Sequence, residues 1–334
     1  MPYIQELART SDTWDSATIQ QEFEIGPSPV KGDTGLLYVD VNLTGTFATA
    51  NPAVLGDIGH ALTGLDLVIA GKSYLRFNPP RADPDEAGIS PLAYVLLKAG
   101  GYCEMEPFDT DGQVAFRARI RIPVGRPTTK KESGYLRFSF GATEAATTSW
   151  GNTATTTIAS ELITIQAVYG TVRHESHISS GINEDISANA EGSVRIHQPD
   201  GNGGWLLDKV VVHDDGAADT IDTIRVVGLH EQPLEIEQLR FLSGDKDGIN
   251  IFNSAWSGDT SDQLVTQVVT GSVTVPCYGL AQSQTVLSVR SNATGGINYY
   301  YGIWYRPASG GTDQAAQPNQ VQTSSATGGE QVLS

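Results

Sequence analysis

The chain has 334 residues, of which 39% are apolar, so it can fill the cores of two ordinary domains or one large one, and wholesale disorder is excluded. Its 38 acidic and 21 basic side chains give a formal net charge of −17, which repels phosphate and argues against a sequence-specific nucleic-acid partner. The acidity fits a salty habitat and ordinary solubility through charge equally well.

Alternating apolar and polar residues predict short strands, joined by turns rich in Gly, Asn and Asp. The first strand is predicted at 36–47, after an N-terminal arm of residues 1–32, and a close strand pair follows at 65–77. One helix is predicted next, because Ser90 suits a cap, Pro91 suits the first helical position and a Gly-Gly pair ends the apolar run. Further strands in this half are predicted at 114–122, 135–140 and 161–169.

The strand predicted at 114–122 (VAFRARIRI) carries a stripe of three arginines, Arg117, Arg119 and Arg121. Slipping its register by one residue would bury all three, so the register is strongly specified. Two interpretations of the stripe stay open. It is a contact between subunits that docks on an acidic neighbouring surface, or it is a solvated face whose charge blocks aggregation.

The second half repeats this pattern after polar residues 173–204, which we expect to form a linker. Its strands are predicted at 205–213, as a close pair at 221–241, and at 264–275, 284–290 and 297–306. The sequence thus predicts one β-rich module written twice, over 33–172 and 205–307, with a polar C-terminal tail at 308–334. Two tandem β-units favour a building block over an enzyme.

The closing strand, INYYYGIWYR at 297–306, is rich in aromatic residues. One of its faces carries a set typical of a sandwich core, namely Tyr299, Tyr301, Ile303 and Tyr305. Tyr300, Trp304 and Arg306 fall on the other face. Tyr300 and Trp304 are therefore candidate contacts between subunits, or a platform for a sugar.

Motifs for chemistry are missing from the sequence: there is no phosphate-binding loop and no nucleophile elbow. His174 and His177 lack the spacing of a zinc-binding helix, which favours exposed linker histidines. Asp-Gly loops at 109–112 and 245–248 lack the acid that closes a calcium loop, although a cation held between subunits stays an alternative. The two cysteines lack the spacing of a metal pair. We therefore predict no catalytic, cofactor or metal site.

Several segments together resemble the double jelly-roll major capsid proteins of tailless icosahedral viruses with an internal membrane, of the tectivirus and corticovirus kind. They are the opening strand GLLYVDVNLTGTF, the strand pair LDLVIAGKSYLRF with its Ala70-Gly71-Lys72 turn, and the helix Pro91–Ala99 that follows. In the second copy, the matching segments are DTIDTIRVVGLHEQPLEIEQLRFL, read as strand–loop–strand, and the closing strand INYYYGIWYR. The resemblance covers residues 33–307.

The resemblance implies an all-β fold of two tandem jelly-roll barrels with short helices in loops. It also implies a homotrimer of pseudo-hexagonal outline that tiles an icosahedral shell, with neighbouring capsomers, minor capsid or penton proteins and an internal viral membrane as partners. The expected location is the virion. Because no signal peptide is visible in the sequence, we expect synthesis in the host cytoplasm.

Six strands are predicted in each copy, whereas a jelly roll needs eight. We expect the missing strands at 101–110, 145–157 or 243–262. Two other functions stay open at this stage. A viral spike, adhesin or carbohydrate-binding β-sandwich pair would use Tyr300 and Trp304 as an exposed platform, and a β-sandwich hydrolase would need two carboxylates facing a groove.

Overall fold

The computed structural model describes most of the chain up to residue 307. The described ranges are 3–12, 20–25, 32–47, 62–77, 90–107, 114–123, 126–128, 133–140, 156–169, 174–179, 182–184, 186–199, 204–214, 221–245, 249–254, 262–267, 271–292 and 298–307. Among these residues the structure has 21 strands and two short helices. The all-β class predicted from the sequence is confirmed.

The first half holds ten strands and one helix. The strands are β1 (Tyr3–Asp12), β2 (Gln20–Ile25), β3 (Gly32–Phe47), β4 (Leu62–Ile69), β5 (Lys72–Phe77), β6 (Tyr102–Pro107), β7 (Val114–Ile122), β8 (Arg126–Thr128), β9 (Gly134–Phe140) and β10 (Thr156–Tyr169). Helix α1 (Pro91–Lys98) lies between β5 and β6.

The second half holds eleven strands and one helix. The strands are β11 (His174–Ile178), β12 (Ile182–Glu184), β13 (Glu191–His197), β14 (Leu206–Asp214), β15 (Ile221–Val226), β16 (Leu234–Glu235), β17 (Ile249–Ser254), β18 (Asp262–Gln267), β19 (Ser272–Leu280), β20 (Gln284–Ser291) and β21 (Asn298–Pro307). Helix α2 (Ile236–Ser243) follows β16, and β17 and β18 form a separate two-stranded sheet.

The two halves have the same strand order. In the first, four strands run β1-β10-β3-β7 and four run β2-β9-β4-β5. In the second, four run β11-β21-β14-β19 and four run β13-β20-β15-β16. Each half is therefore an eight-stranded unit whose first strand lies beside its last, which is the connectivity of two Greek keys. The expectation that the missing strands lie at 101–110, 145–157 or 243–262 is wrong for the two units. Strands β6, the start of β10 and β17 do fall in those ranges, but β6 and β17 lie outside the units, and the members that the sequence pattern missed are β1, β2, β11 and β13.

The predicted boundaries of the two modules need correction. Strands β1 and β2 lie in the segment predicted to be an N-terminal arm, and they pair with β10 and β9 of the first unit. Strands β11, β12 and β13 lie in the predicted linker, and they pair with β21 and β20 of the second unit. These strands are short or polar, so the period-two pattern was weak. Their neighbours in the sheets, rather than their own sequence, fix them as strands.

One sheet runs from the first unit into the second. Strand β11 pairs with β21 on one side and, at Ile178 and Leu75, with β5 in parallel on the other. The result is a nine-stranded sheet that carries one of the four-stranded sheets of each unit. Residues Phe77 and Tyr301, one from each unit, stack with ring centroids 4.8 Å apart. The two units are thus joined by backbone hydrogen bonds and by packed side chains.

Helix α1 forms where the sequence predicted it. The Ser90 side chain accepts a hydrogen bond from the Ala93 N–H at 3.1 Å, and Pro91 occupies the first helical turn. The helix ends at Lys98, and Gly100 then adopts a φ of +86°, a left-handed conformation that glycine tolerates best. Its residues from Pro91 to Leu96 are all buried.

Helix α2 corrects the sequence prediction, which placed a second strand of a close pair at its position. Only β15 and the two residues of β16 are strand, and Ile236–Ser243 is helical. The Glu235 N–H donates to the Gln238 side chain at 3.0 Å, and Gly244 ends the helix at a φ of +78°. These local signals at both ends favour a helix over a strand.

The core of the second unit lies between its two sheets. Leu239 of α2 is buried in this core, which shows that the helix closes one side of the barrel. The strands contribute inward side chains from both sheets, among them Val194, Ile196, Val210, Val212, Val273, Val275, Leu287, Val289, Tyr300 and Trp304.

Candidate assembly surfaces

The predicted register of the arginine-bearing strand β7 is confirmed where its side chains are described. Ile120 and Ile122 are fully buried, and Arg121 between them is half-buried. The register places Arg119 opposite Glu104 of β6 and Asp40 of β3. Acidic positions therefore flank the arginine stripe on both neighbouring strands. Its role as a contact between subunits stays a prediction.

The prediction that Tyr300 and Trp304 contact another subunit is wrong. Both side chains are 0% exposed and belong to the core of the second unit. The reason is the position of β21, which lies in the middle of the nine-stranded sheet. Its other face is covered as well, since Tyr301 stacks on Phe77 of the first unit. A strand buried on both faces carries no outward aromatic face, whatever its alternation indicates.

Arg306, on the same strand, holds neighbouring elements together. Its guanidinium lies 2.5 Å from the Glu175 carboxylate of β11, and Glu175 is almost completely buried. The same guanidinium lies 4.4 Å above the ring of Trp205. The pairing explains how an acidic residue in a polar segment becomes part of the folded unit.

The paired histidines lie in a strand and not in a linker or a helix. His174 packs its ring against Tyr305 at 5.8 Å, and the His177 ring lies 5.7 Å from Trp205. Among the described residues, no group of three or more His, Cys, Asp or Glu side chains is arranged to hold a metal ion. Cys277 is a free, buried thiol whose pKa burial raises to about 12, as expected of a packed apolar side chain.

Helix α1 is joined to the second unit by a cluster of polar side chains around Asp245. The Tyr94 hydroxyl donates to the Asp245 carboxylate at 2.6 Å and lies 2.8 Å from the Thr274 hydroxyl. Lys98 donates to the same carboxylate at 2.5 Å, and Ser243 donates to it at 2.7 Å. Asp245 is 4% exposed, so this is a buried and well-satisfied carboxylate.

The cluster fixes the protonation state of its tyrosine. Burial raises the pKa of Tyr94 well above its ordinary value, and the neighbouring Asp245 charge raises it further. The phenol therefore stays protonated and remains a donor. Asp245, the first residue of the Asp-Gly loop at 245–248, is thus a hydrogen-bond acceptor for α1 and Ser243, and residues 246–248 lie outside the described residues.

The side chains of helix α2 are less buried than those of α1. Leu239 faces the core, but Phe241 is 67% exposed and Leu242 is 50% exposed. Glu237 and Gln238 are exposed as well. Large apolar side chains at this exposure on one helix face are a feature of surfaces that meet a partner. Among the described residues, the other exposed large apolar side chains are Leu97, Val227 and Tyr278.

No helix among the described residues has the length and the apolar character needed to cross a membrane. No protein-family model matches the chain, and no curated protein matches it.

Solved structures do match it. The chain is similar to the crystal structure of the STIV major capsid protein, with a TM-score of 0.54, 9% identity and coverage of 92% of this chain and 97% of that one. It is also similar to a chain in the atomic structure of Sulfolobus Turreted Icosahedral Virus, with a TM-score of 0.52, 10% identity and coverage of 92% and 91%. The fold is a double jelly roll. The fold expected from the resemblance is confirmed.

A further match is the crystal structure of the major capsid protein P2 from bacteriophage PM2, with a TM-score of 0.48, 9% identity and coverage of 92% and 97%. The assignment of the fold rests on the first two matches and on the strand order of the two rolls. Below, the first roll means β1–β10 with α1, and the second roll means β11–β21 with α2.

Two features of these surfaces were missed from the sequence. The Asp245 cluster joins residues 151 positions apart, so no local pattern announces it. Helix α2 did carry a signal, because Gln238 follows Glu235 by three residues and Gly244 follows the apolar run. The second strand of a close pair was nevertheless predicted there, within 221–241.

Proposed function

We propose that the chain is the major capsid protein of an icosahedral virus, and that it acts as a structural building block with itself as its main partner. The observation that carries the proposal is the repeated roll: two eight-stranded units of identical strand order joined in one sheet. Similarity in fold to the STIV major capsid protein supports it. A protein of this shape works through its outer surfaces and needs no cleft.

The finer proposal is a homotrimer. Three copies of a chain that holds two similar rolls place six rolls around one axis, which gives a pseudo-hexagonal outline that tiles a shell. Neighbouring capsomers, minor capsid or penton proteins and an internal viral membrane complete the proposed set of partners. The proposed location is the virion, after synthesis in the host cytoplasm. The arginine stripe of β7 remains a proposed contact between subunits.

A rival function as a carbohydrate-binding protein depended on Tyr300 and Trp304 as an exposed platform. Both are buried, so nothing among the described residues favours it.

The test is the oligomeric state of the purified chain. Size-exclusion chromatography with light scattering is expected to give the mass of three chains of 35.6 kDa, and negative-stain images are expected to show particles of six-lobed outline. A chain that stays monomeric at every concentration and salt condition would contradict the proposal. Salt is varied because a charge of −17 per chain opposes association at low ionic strength.

A further inference from the structure

We propose that α2 of one copy docks on the outer face of β3 and β7 of a second copy, and that this contact closes the trimer. The inference rests on the proposed function, because it assigns the surfaces through which that trimer forms. It is drawn from a contact that the chain already makes within itself.

The internal contact is that of α1 with the second roll. The Tyr94 hydroxyl meets Thr274 of β19 at 2.8 Å, and the Lys209 ammonium of β14 donates to the Lys98 carbonyl at 3.1 Å. Thr274 lies between Val273 and Val275, which point into the core, so it belongs to the opposite, outer face of β19. Helix α1 therefore covers its own roll with one side and the outer face of β14 and β19 with the other.

Because the strand order is repeated, each of these elements has a counterpart in the other roll. In strand order, β3 and β7 have the places in the first roll that β14 and β19 have in the second. Helices α1 and α2 also correspond, since each follows the strand at the end of its sheet, β5 or β16. Within the described residues no third roll follows the second. The partner of α2 that corresponds to the partner of α1 is therefore the first roll of another copy.

The burial of the two helices agrees with the assignment of another copy as the partner of α2. Six of the eight residues of α1 are buried, whereas α2 buries one, Leu239. The residues of α2 that stand out are Phe241 at 67% exposure and Leu242 at 50%. Glu237, one turn before Phe241, is exposed on the same side. The Glu237 carboxylate accepts a hydrogen bond from Arg240 of the same helix at 3.0 Å, so the surface that α2 offers is an apolar pair beside this ion pair.

The chemistry of β3 and β7 suits that surface. Arg117, Arg119 and Arg121 bring three basic positions together on one face of a strongly acidic chain. Tyr38 lies opposite Arg121 in the register, so aromatic and arginine positions adjoin. Arginine and tyrosine are residue types whose stems and rings offer apolar area to side chains such as Phe241 and Leu242. Acidic positions of β3 and β6 adjoin the arginine stripe in the register, and α2 carries one carboxylate and one guanidinium that pair with each other, so neither surface repels the other through net charge.

The first test removes the apolar surface of α2. The double variant Phe241→Ser with Leu242→Ser is expected to weaken the trimer by about tenfold or more in its dissociation constant, because exposed aromatic and aliphatic anchors dominate such contacts. The matched control is Tyr278→Ser, which removes an aromatic side chain of equal exposure, 68%, at the far end of β19. The control is expected to trimerise as the unaltered chain does.

The second test locates the contact between copies. Chains carrying Phe241→Cys are mixed with chains carrying Arg119→Cys and treated with a short thiol-to-thiol crosslinker, and the linked peptides are identified by mass spectrometry. Because the two cysteines are on different chains, a 241–119 link reports contact between copies alone. Tyr278→Cys replaces Phe241→Cys in the control mixture, and the unaltered chain controls for its native cysteines.

The outcomes separate the two proposals. If the unaltered chain never forms trimers, the proposed function fails. If it forms trimers but the serine variant matches the control and no 241–119 link appears, this inference alone is overturned. If the serine variant does not fold, the crosslinking experiment alone decides whether α2 contacts the second copy at β7. If α2 links instead to another region or to a different virion protein, the inference is likewise overturned.

Discussion

Helices α1 and α2 hold corresponding places in the two rolls, but they are covered to different extents. Helix α1 is buried between the rolls and is tied to Asp245 through Tyr94 and Lys98. Helix α2 covers its own core with Leu239 and leaves Phe241 and Leu242 exposed. This difference is expected if α1 makes its contact inside the chain and α2 makes the corresponding contact with a neighbouring copy. The predictions below test the two sides of this comparison in the order of their expected effect.

Replacing Asp245 is expected to have the largest effect. Asp245→Ala leaves the nearly buried Lys98 ammonium without its carboxylate and removes the acceptor of Tyr94, and a broken buried pair costs about 3–5 kcal/mol. The free energy of unfolding, measured by denaturant titration at fixed protein concentration, reports the loss. Asp222→Ala breaks the exposed pair with Arg290 at 3.7 Å and is expected to cost less than about 1 kcal/mol. Equal losses would refute the importance of the cluster.

A leucine in each helix gives the most direct comparison. Leu96→Ala in α1 removes a side chain that is 0% exposed and is expected to cost about 2–5 kcal/mol. Leu242→Ala in α2 removes a side chain that is 50% exposed and is expected to cost about 0.5 kcal/mol or less in the isolated chain. Both are measured by denaturant titration under conditions that keep the chain monomeric. Similar costs would mean that the helices are not covered differently.

The second roll is expected to respond to acid through His213. Burial lowers the pKa of His213 from 6.5 to about 4, and its ring accepts or donates a hydrogen bond with Ser272 at 2.9 Å. Because the unfolded chain binds the proton first, His213 contributes full stability above pH 6.5, and that contribution is lost as the pH falls towards 4. The loss amounts to about 2 kcal/mol by pH 5.

The measurement is the free energy of unfolding as a function of pH for the unaltered chain and for His213→Gln, which keeps a polar side chain. The variant is expected to show a shallower decline between pH 6.5 and pH 4. Parallel curves for the two proteins would contradict the assignment. His197→Gln, at an exposed position on β13, serves as the control and is expected to leave the slope unchanged.

Among the changes at buried positions, the smallest effect is expected for Tyr94→Phe. The change removes the hydroxyl that donates to Asp245 and leaves the packing of the ring, so the expected cost is about 1 kcal/mol. Tyr278→Phe removes the hydroxyl of an exposed tyrosine and is expected to cost nothing measurable. Thermal unfolding of both variants at equal protein concentration makes the comparison. A cost no larger than that of Tyr278→Phe would show that the ring, not the hydroxyl, fixes α1.

Much of the fold could be predicted from the sequence, because period-two alternation reports which residues share a face. The pattern around Ile120 and Ile122 placed β7 in the right register, and a cap, a proline and two glycines placed α1. The pattern failed at β11, where HESHI is a strand because it pairs with β21 and because Arg306 neutralises Glu175. It failed at α2, where a helical run was read as a strand.

The candidate contacts show the same limit. Alternation assigned Tyr300 and Trp304 to the face opposite Tyr301, and that much is correct, since Tyr301 meets Phe77 while the other two enter the second core. It could not tell that both faces are covered. One face is covered by the core side chains of the opposite sheet and the other by Phe77 of the first roll, and most of these residues are far from β21 in sequence.

The sequence by itself determined that this is a chain of many half-buried strands, written twice, with a helix after the close strand pair of its first half. Those properties follow from local alternation, turn residues and helix caps. Tertiary structure alone decided where each roll begins, that one sheet joins them, and that α1 is buried while α2 is exposed. The physical reason is that pairing and burial depend on which distant segment supplies the hydrogen bonds and the covering surface, and a local pattern does not carry that information.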